Sequence, residues 1–126
     1  MTKRVSYTLE YTFKAKAEML YHYFVTPYNL ASWFADEVNV NGDTFFFYWE
    51  KSVEKARLVK QNFKKRVVFQ WVERKENEYL TFLLDTDEIT GETDLLITDF
   101  DDESQIESAK QIWNASIDQL KRLVGG

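Results

Sequence analysis

From Arg4 to Phe13 the chain alternates, with Val5, Tyr7, Leu9, Tyr11 and Phe13 on odd positions and Ser6, Thr8, Glu10 and Thr12 on even ones. A period of two is that of a strand with one buried face, because successive side chains leave opposite sides of the pleat. Between residues 14 and 24 the period changes, and Ala17, Leu20, Tyr21 and Phe24 take helical spacing. A second short helix is expected after Thr26-Pro27, running through Tyr28, Leu30, Ala31, Trp33 and Phe34. Thr26 can cap it, and Pro27 suits its first position, where a missing N–H costs nothing.

Residues 36–50 read as a hairpin. Val38 and Val40 alternate with polar residues, Asn41-Gly42 is a type I′ turn signal, and Thr44-Phe45-Phe46-Phe47-Tyr48-Trp49 forms a return strand with rings on both faces. Further strands are expected over 53–61, 65–73, 78–85 and 92–100. Their apolar sets include Val67, Phe69 and Trp71, then Leu80, Phe82 and Leu84, then Leu95 and Ile97, with Lys75-Glu76-Asn77 as a polar turn. After Asp101-Asp102-Glu103-Ser104, the residues Ile106, Ala109, Ile112, Trp113, Ser116, Ile117, Leu120 and Val124 recur at three- and four-residue steps. Acids precede this helix, Lys121 and Arg122 sit in its last turn, and Gly125-Gly126 end it. About 21 helical residues span roughly 30 Å, and seven strands spaced about 4.8 Å apart make a sheet of similar width. The expectation is an α+β chain in which one long C-terminal helix lies across a curved antiparallel sheet of six to seven strands.

Length and charge narrow the picture. The 126 residues suit one domain spanning 1–126. Hydrophobic content of 44% permits a real core, and the 17% share of Phe, Trp and Tyr means that rings supply much of it. Such rings either fill an interior or line a cavity. The net charge is −5 and the isoelectric point about 4.9. Counterion release on nucleic acid needs a basic surface, so nucleic acid is not expected as a partner. Cysteine is absent, which excludes disulfides and thiol chemistry. The opening Met1-Thr2-Lys3-Arg4-Val5-Ser6-Tyr7 is not an apolar signal segment, and no apolar run reaches the roughly 20 residues that cross a bilayer. No stable membrane insertion and a cytoplasmic location are therefore expected.

Candidate chemistry is sparse. His22 is the only histidine and reads as a surface or boundary residue of the first helix. Without cysteine or a second histidine the usual metal-ligand sets cannot form, and neither a Gly-x-Ser-x-Gly elbow nor a phosphate-cradling glycine loop is present. Asp85-Thr86-Asp87-Glu88-Ile89-Thr90-Gly91 approaches a calcium loop, but Ile89 stands where an oxygen ligand is needed, so a solvated turn is expected. Asp99, Asp101, Asp102 and Glu103 are read as charge compensation at the helix start and as a soluble surface. Asn114-Ala115-Ser116 fits a glycosylation sequon but falls within a helix. Glu10, Glu54 and Glu73 lie in expected strands, and one facing inward would have a raised pKa. No catalytic residue, cofactor or metal site is assigned.

The order strand, two short helices, six strands and long helix resembles the helix-grip fold of START domains, birch-pollen-allergen-like proteins and homologues of the activator of the heat-shock-90 ATPase. The resemblance is carried by Thr26-Pro27-Tyr28-Asn29-Leu30-Ala31-Ser32-Trp33-Phe34, by Gly42 before an aromatic strand, and by Trp113 followed by Ile117, Leu120 and Leu123. Ile112 stands where many of those proteins have glycine before the helix tryptophan. The resemblance implies a cavity between sheet and C-terminal helix for an apolar or amphipathic, lipid-like small molecule. Its implied wall is Trp33, Phe47, Trp49, Phe69, Trp71, Trp113 and Ile117. It also implies two alternatives: an interaction module whose partner is a chaperone or other protein, and a hydrolase or cyclase built on the same cavity.

Overall fold

In the computed structural model, which describes residues 3–74 and 77–126, seven antiparallel strands form one curved sheet in the order β1-β7-β6-β5-β4-β3-β2. They are β1 (Arg4–Phe13), β2 (Glu37–Asn41), β3 (Thr44–Trp49), β4 (Ser52–Asn62), β5 (Arg66–Trp71), β6 (Tyr79–Thr86) and β7 (Thr93–Asp102). The helices are α1 (Ala17–Val25), α2 (Pro27–Leu30) and α3 (Ile106–Val124), and a 3-10 turn, Glu103–Gln105, leads into the last. Lys75 and Glu76 of the expected polar turn, and Met1 and Thr2 of the expected non-signal start, lie outside the described residues. β2 through β7 form a meander, and β1 closes on β7 with a register from Arg4↔Asp102 to Phe13↔Thr93.

Alternation places Phe45 and Phe47 of β3, Val67, Phe69 and Trp71 of β5, Leu80, Phe82 and Leu84 of β6, and Leu95 and Ile97 of β7 on the inner face. α3 covers that face with Ala109, Trp113, Ile117, Leu120 and Val124. Phe82 lies at the centre of the ring cluster, stacked on Phe24 at 4.6 Å and edge-on to Trp33 and Trp113, each at 6.1 Å. On the outer face the β3 rings are half-covered, with the Lys55 ammonium 5.7 Å from the Phe46 ring centre.

Four local expectations are corrected. The β2–β3 loop is Gly42-Asp43, because Asn41 still pairs with Thr44. Positive φ occurs at Gly42 (+65°) and not at Asp43, which fits a type II′ turn with glycine first, not type I′. Thr26 occupies the capping position of α2 without a side-chain bond; its N–H instead closes α1 on the His22 carbonyl at 3.1 Å. α2 ends at Leu30, and residues 31–35 continue as turns on the Asn29 and Leu30 carbonyls. Ile112 of the expected apolar stripe is 68% exposed, whereas Gly125 ends α3 as read, at φ +87° with its N–H on the Lys121 carbonyl. The Asp85–Gly91 segment is an exposed turn in which Asp87 Oδ1 accepts the Ile89 and Thr90 N–H groups, and these two bonds lower the Asp87 pKa.

Candidate functional site

Where the ends of β3, β5 and β7 approach the first half of α3, side chains enclose a cleft of about 240 Å³. Its walls are rings: Phe34 from the turn after α2, Trp49 from the end of β3, Trp71 from the end of β5 and Trp113 from α3. Ala109 and Ile112 of α3 complete the apolar side, and Ser116, one turn on, adds a hydroxyl. Tyr7 of β1 and Asp99 of β7 are buried in it, while Glu54, Arg74 and Asp101 are half-exposed.

Each wall indole is fixed by its own N–H. Trp113 Nε1 donates to the Tyr7 hydroxyl, Trp71 Nε1 to Asp99 Oδ1, and Trp49 Nε1 to the Phe34 carbonyl, all at 2.9 Å. A buried tryptophan needs such a partner, and three of them lock the ring orientations of the cleft. The Arg74 guanidinium carbon lies over the Trp71 ring, 4.2 Å from its centre. It donates to both Glu54 oxygens at 2.9 and 3.2 Å and to the Phe100 carbonyl at 3.2 Å, and stands 3.6 Å from Asp99 Oδ1. Beside it, Arg4 bonds Glu78 twice, at 2.6 and 3.0 Å, and Asp102 at 3.1 Å.

Asp99 is 6% exposed, and burial raises its pKa from the ordinary 3.8 to about 6. The Arg74 charge, the Trp71 N–H and the Phe100 N–H oppose that rise, and the Glu54 charge adds to it. Burial and then the Asp99 charge push the Tyr7 phenol well above its usual range. The Glu78 bond drives the Arg4 pKa further up, so the guanidinium stays charged. The cleft thus holds one carboxyl that changes protonation near neutrality and one phenol that does not.

Of the seven wall residues implied by resemblance, Trp49, Trp71 and Trp113 face this cleft. Trp33, Phe47, Phe69 and Ile117 form the packed layer behind it: Phe47 sits edge-on to Phe34 at 5.0 Å, Phe69 edge-on to Phe47 at 5.8 Å, and Trp33 lies 6.4 Å from Trp113. Their faces are occupied by neighbouring rings. The acidic cluster is also corrected. Asp99 is interior, and Asp101 and Asp102 pair with Arg4 at 3.7 and 3.1 Å, while Glu103 stands in the first turn of the 3-10 lead-in to α3. The inward carboxylate is Asp99 and not one of the three glutamates considered: Glu10 is exposed, Glu73 pairs with Lys55 on the surface, and Glu54 is held by Arg74.

Sequence reasoning missed Tyr7, Phe34, Arg74 and Asp99. For Asp99 the signal was present, since Thr93, Leu95, Ile97 and Asp99 share one parity and all are buried. Glu78 likewise shares the parity of Leu80, Phe82 and Leu84 and is 4% exposed. Among the described residues, no group of three His, Asp or Glu side chains could hold a metal ion. No described helix is long and apolar enough to cross a membrane. His22 is an exposed neighbour of the Tyr21 and Phe63 rings, and Asn114 of the sequon lies in α3, accepting the Tyr11 hydroxyl at 2.6 Å.

Comparison with known proteins agrees with this architecture. The solution structure of the Aha1 dimer from Colwellia psychrerythraea superposes with a TM-score of 0.82 at 19% identity, covering 95% of this chain and 96% of that one. Protein MLL2253 from Mesorhizobium loti gives 0.79 at 16% identity, covering 96% and 97%. Protein BfR322 from Bacteroides fragilis gives 0.65 at 26% identity, covering 98% and 92%. No curated protein matches the sequence. The family profile of the START-like superfamily domain matches residues 1–126, and the chain belongs to that superfamily.

Proposed function

We propose that this chain is a binding module whose cleft under α3 holds a small molecule with an apolar body and a polar end. The observation that carries the reading is the buried carboxyl of Asp99 at a cleft walled by Phe34, Trp49, Trp71 and Trp113. A titratable group kept inside an apolar site at a cost in stability is a recurrent mark of functional sites. Ligand sites combine apolar walls with a few placed polar groups in this way. The volume argues for a compact occupant. At about 240 Å³ the cleft lies just below the roughly 300–1,000 Å³ of pockets for drug-sized ligands. The lipid-like expectation is therefore narrowed to a ligand of roughly one ring and a short tail.

The test is native mass spectrometry of the protein purified from its own host, with solvent extraction of any bound compound. A discrete added mass, lost in an Ala109→Leu variant that fills the cleft, is the expected result. An adduct retained in that variant overturns the location, and a bare mass of 15.0 kDa from gentle conditions counts against the function. A chaperone recovered in place of a small molecule would favour the interaction module.

A second reading, a cavity enzyme, is favoured by one feature. A carboxyl with a pKa of about 6 is poised to exchange protons near neutral pH. Recovery of the extracted compound unchanged after prolonged incubation with the protein removes that reading and leaves binding intact.

A further inference from the structure

The polar inventory of the cleft is lopsided. Its indole donors are consumed internally: Trp49 by the Phe34 carbonyl, Trp71 by Asp99 and Trp113 by Tyr7. The Arg74 guanidinium is committed to both Glu54 oxygens and the Phe100 carbonyl, and it lies over the Trp71 ring. What remains for a ligand is the Asp99 carboxyl and the second oxygen of Asp101 as acceptors, with the Tyr7 and Ser116 hydroxyls able to donate or accept.

Charge runs the same way. Among the described residues, the ion network at this end of the sheet comprises two guanidiniums, Arg4 and Arg74, against five carboxyls, Glu54, Glu78, Asp99, Asp101 and Asp102. The cleft lining itself sets one guanidinium, Arg74, against three carboxyls, Glu54, Asp99 and Asp101, so an incoming cation meets more acids than bases. The faces of aromatic rings are also negative, and they attract cations. Ring walls, spare acceptors and surplus negative charge are complementary to one chemical class. An ammonium group has three donors and no acceptor.

We infer that the cleft selects a compact protonated amine, its apolar body laid against the joined wall of Phe34, Trp49 and Trp113 and its ammonium group directed at Asp99 and Asp101. The inference rests on the small-molecule reading above and adds the charge of the ligand to it. A carboxylate of the same size is disfavoured, because the one arginine lining the cleft is already paired and the incoming charge meets Glu54, Asp99 and Asp101.

Three probes of matched size separate the ideas: phenethylamine, 2-phenylethanol and hydrocinnamate, titrated at pH 7 against the intact protein. The readout is the indole N–H resonances in two-dimensional NMR. Trp33, whose Nε1 donates to the Tyr23 carbonyl away from the cleft, serves as an internal control. The expected result is shifts at Trp49, Trp71 and Trp113, with phenethylamine bound at least about tenfold more tightly than the alcohol and hydrocinnamate weakest. In Asp99→Asn the amine preference falls to near parity with the alcohol. Equal binding of amine and alcohol to the unaltered protein overturns the amine inference and leaves the small-molecule cleft standing, as does tightest binding of hydrocinnamate. No cleft shifts with any probe at millimolar concentration overturns both.

Discussion

Replacing Asp99 by Asn tests whether the carboxyl at the cleft is buried and titrating as described. Burial raises its pKa from 3.8 to about 6. The folded protein therefore holds this proton more tightly than the unfolded chain does. Stability from the group is complete below about pH 4, declines as pH rises between about 4 and 6, and is lost above, because ionising the carboxyl in place is unfavourable. A shift of about two pK units, at about 1.4 kcal/mol each, makes the ionised form cost about 3 kcal/mol at pH 7. Asn keeps an oxygen for the Trp71 N–H and cannot ionise, so it carries no such penalty. Any misfit of the amide is independent of pH, and the Arg74 and Glu54 side chains are common to both proteins, so the comparison isolates residue 99. The stability of Asp99→Asn relative to the parent should therefore rise by about 2–3 kcal/mol from pH 4 to pH 7. For a domain of this size that is roughly 6–10 °C in Tm. Parallel thermal melts by circular dichroism at half-unit pH intervals read the difference directly. A difference that stays flat across that range would refute the assignment of Asp99 as a buried carboxyl with a raised pKa.

Other substitutions probe the framework. Arg4→Ala leaves Glu78 buried without its two closest bonds and should cost about 3 kcal/mol in urea unfolding, the lower end for such pairs because Arg74 remains 3.8 Å away; adding Glu78→Gln should recover part of it. Tyr7→Phe strips the Trp113 N–H of its acceptor and should cost about 1–3 kcal/mol, with a shifted Trp113 indole resonance and unchanged Trp33. Phe82→Ala removes the ring at the centre of the cluster and should cost about 3–5 kcal/mol by the same measurement. Gly42→Ala should cost about 1–2 kcal/mol through backbone strain alone, since φ is +65° and no atom lies within 4 Å of the added methyl.

The elements legible from sequence are those whose burial follows a strict period. β1 alternates without interruption over ten residues, and the buried positions of α3 recur at helical steps, so both were placed nearly to the residue. β4 was harder because a register shift between Leu58 and Lys60 breaks its parity and most of its residues are exposed. The hairpin turn was displaced by one residue because Asn41-Gly42 and Gly42-Asp43 are both acceptable turn pairs, and only pairing with Thr44 decides between them. At the cleft, tryptophans were foreseeable and their division into wall and filler was not. Trp49 and Phe47 share a face of one strand, but Phe47 is capped by Phe34 from a distant turn. Charge type misled as well. Asp99 was read as surface because it is an acid among acids, although its strand parity pointed inward; Trp71 at the end of β5 and Arg74 in the bend after it make that burial tolerable, from a strand not adjacent to β7.

The pairing of β1 with β7 has a consequence for biosynthesis. The Phe13↔Thr93 pair is separated by 80 residues and Arg4↔Asp102 by 98. A ribosome adding about 5–20 residues per second needs about 4–16 seconds to make the shorter of those stretches. Throughout that interval the nascent chain carries an aromatic strand, Tyr7, Tyr11 and Phe13 included, whose partner does not yet exist. The β2–β6 meander can form in the meantime from neighbouring segments, but closure of the sheet awaits synthesis of β7. Such long-range closure slows folding and leaves an edge available for mispairing. The same closure sets Tyr7 beside Trp113, so the cleft takes its shape only after α3 has also been made.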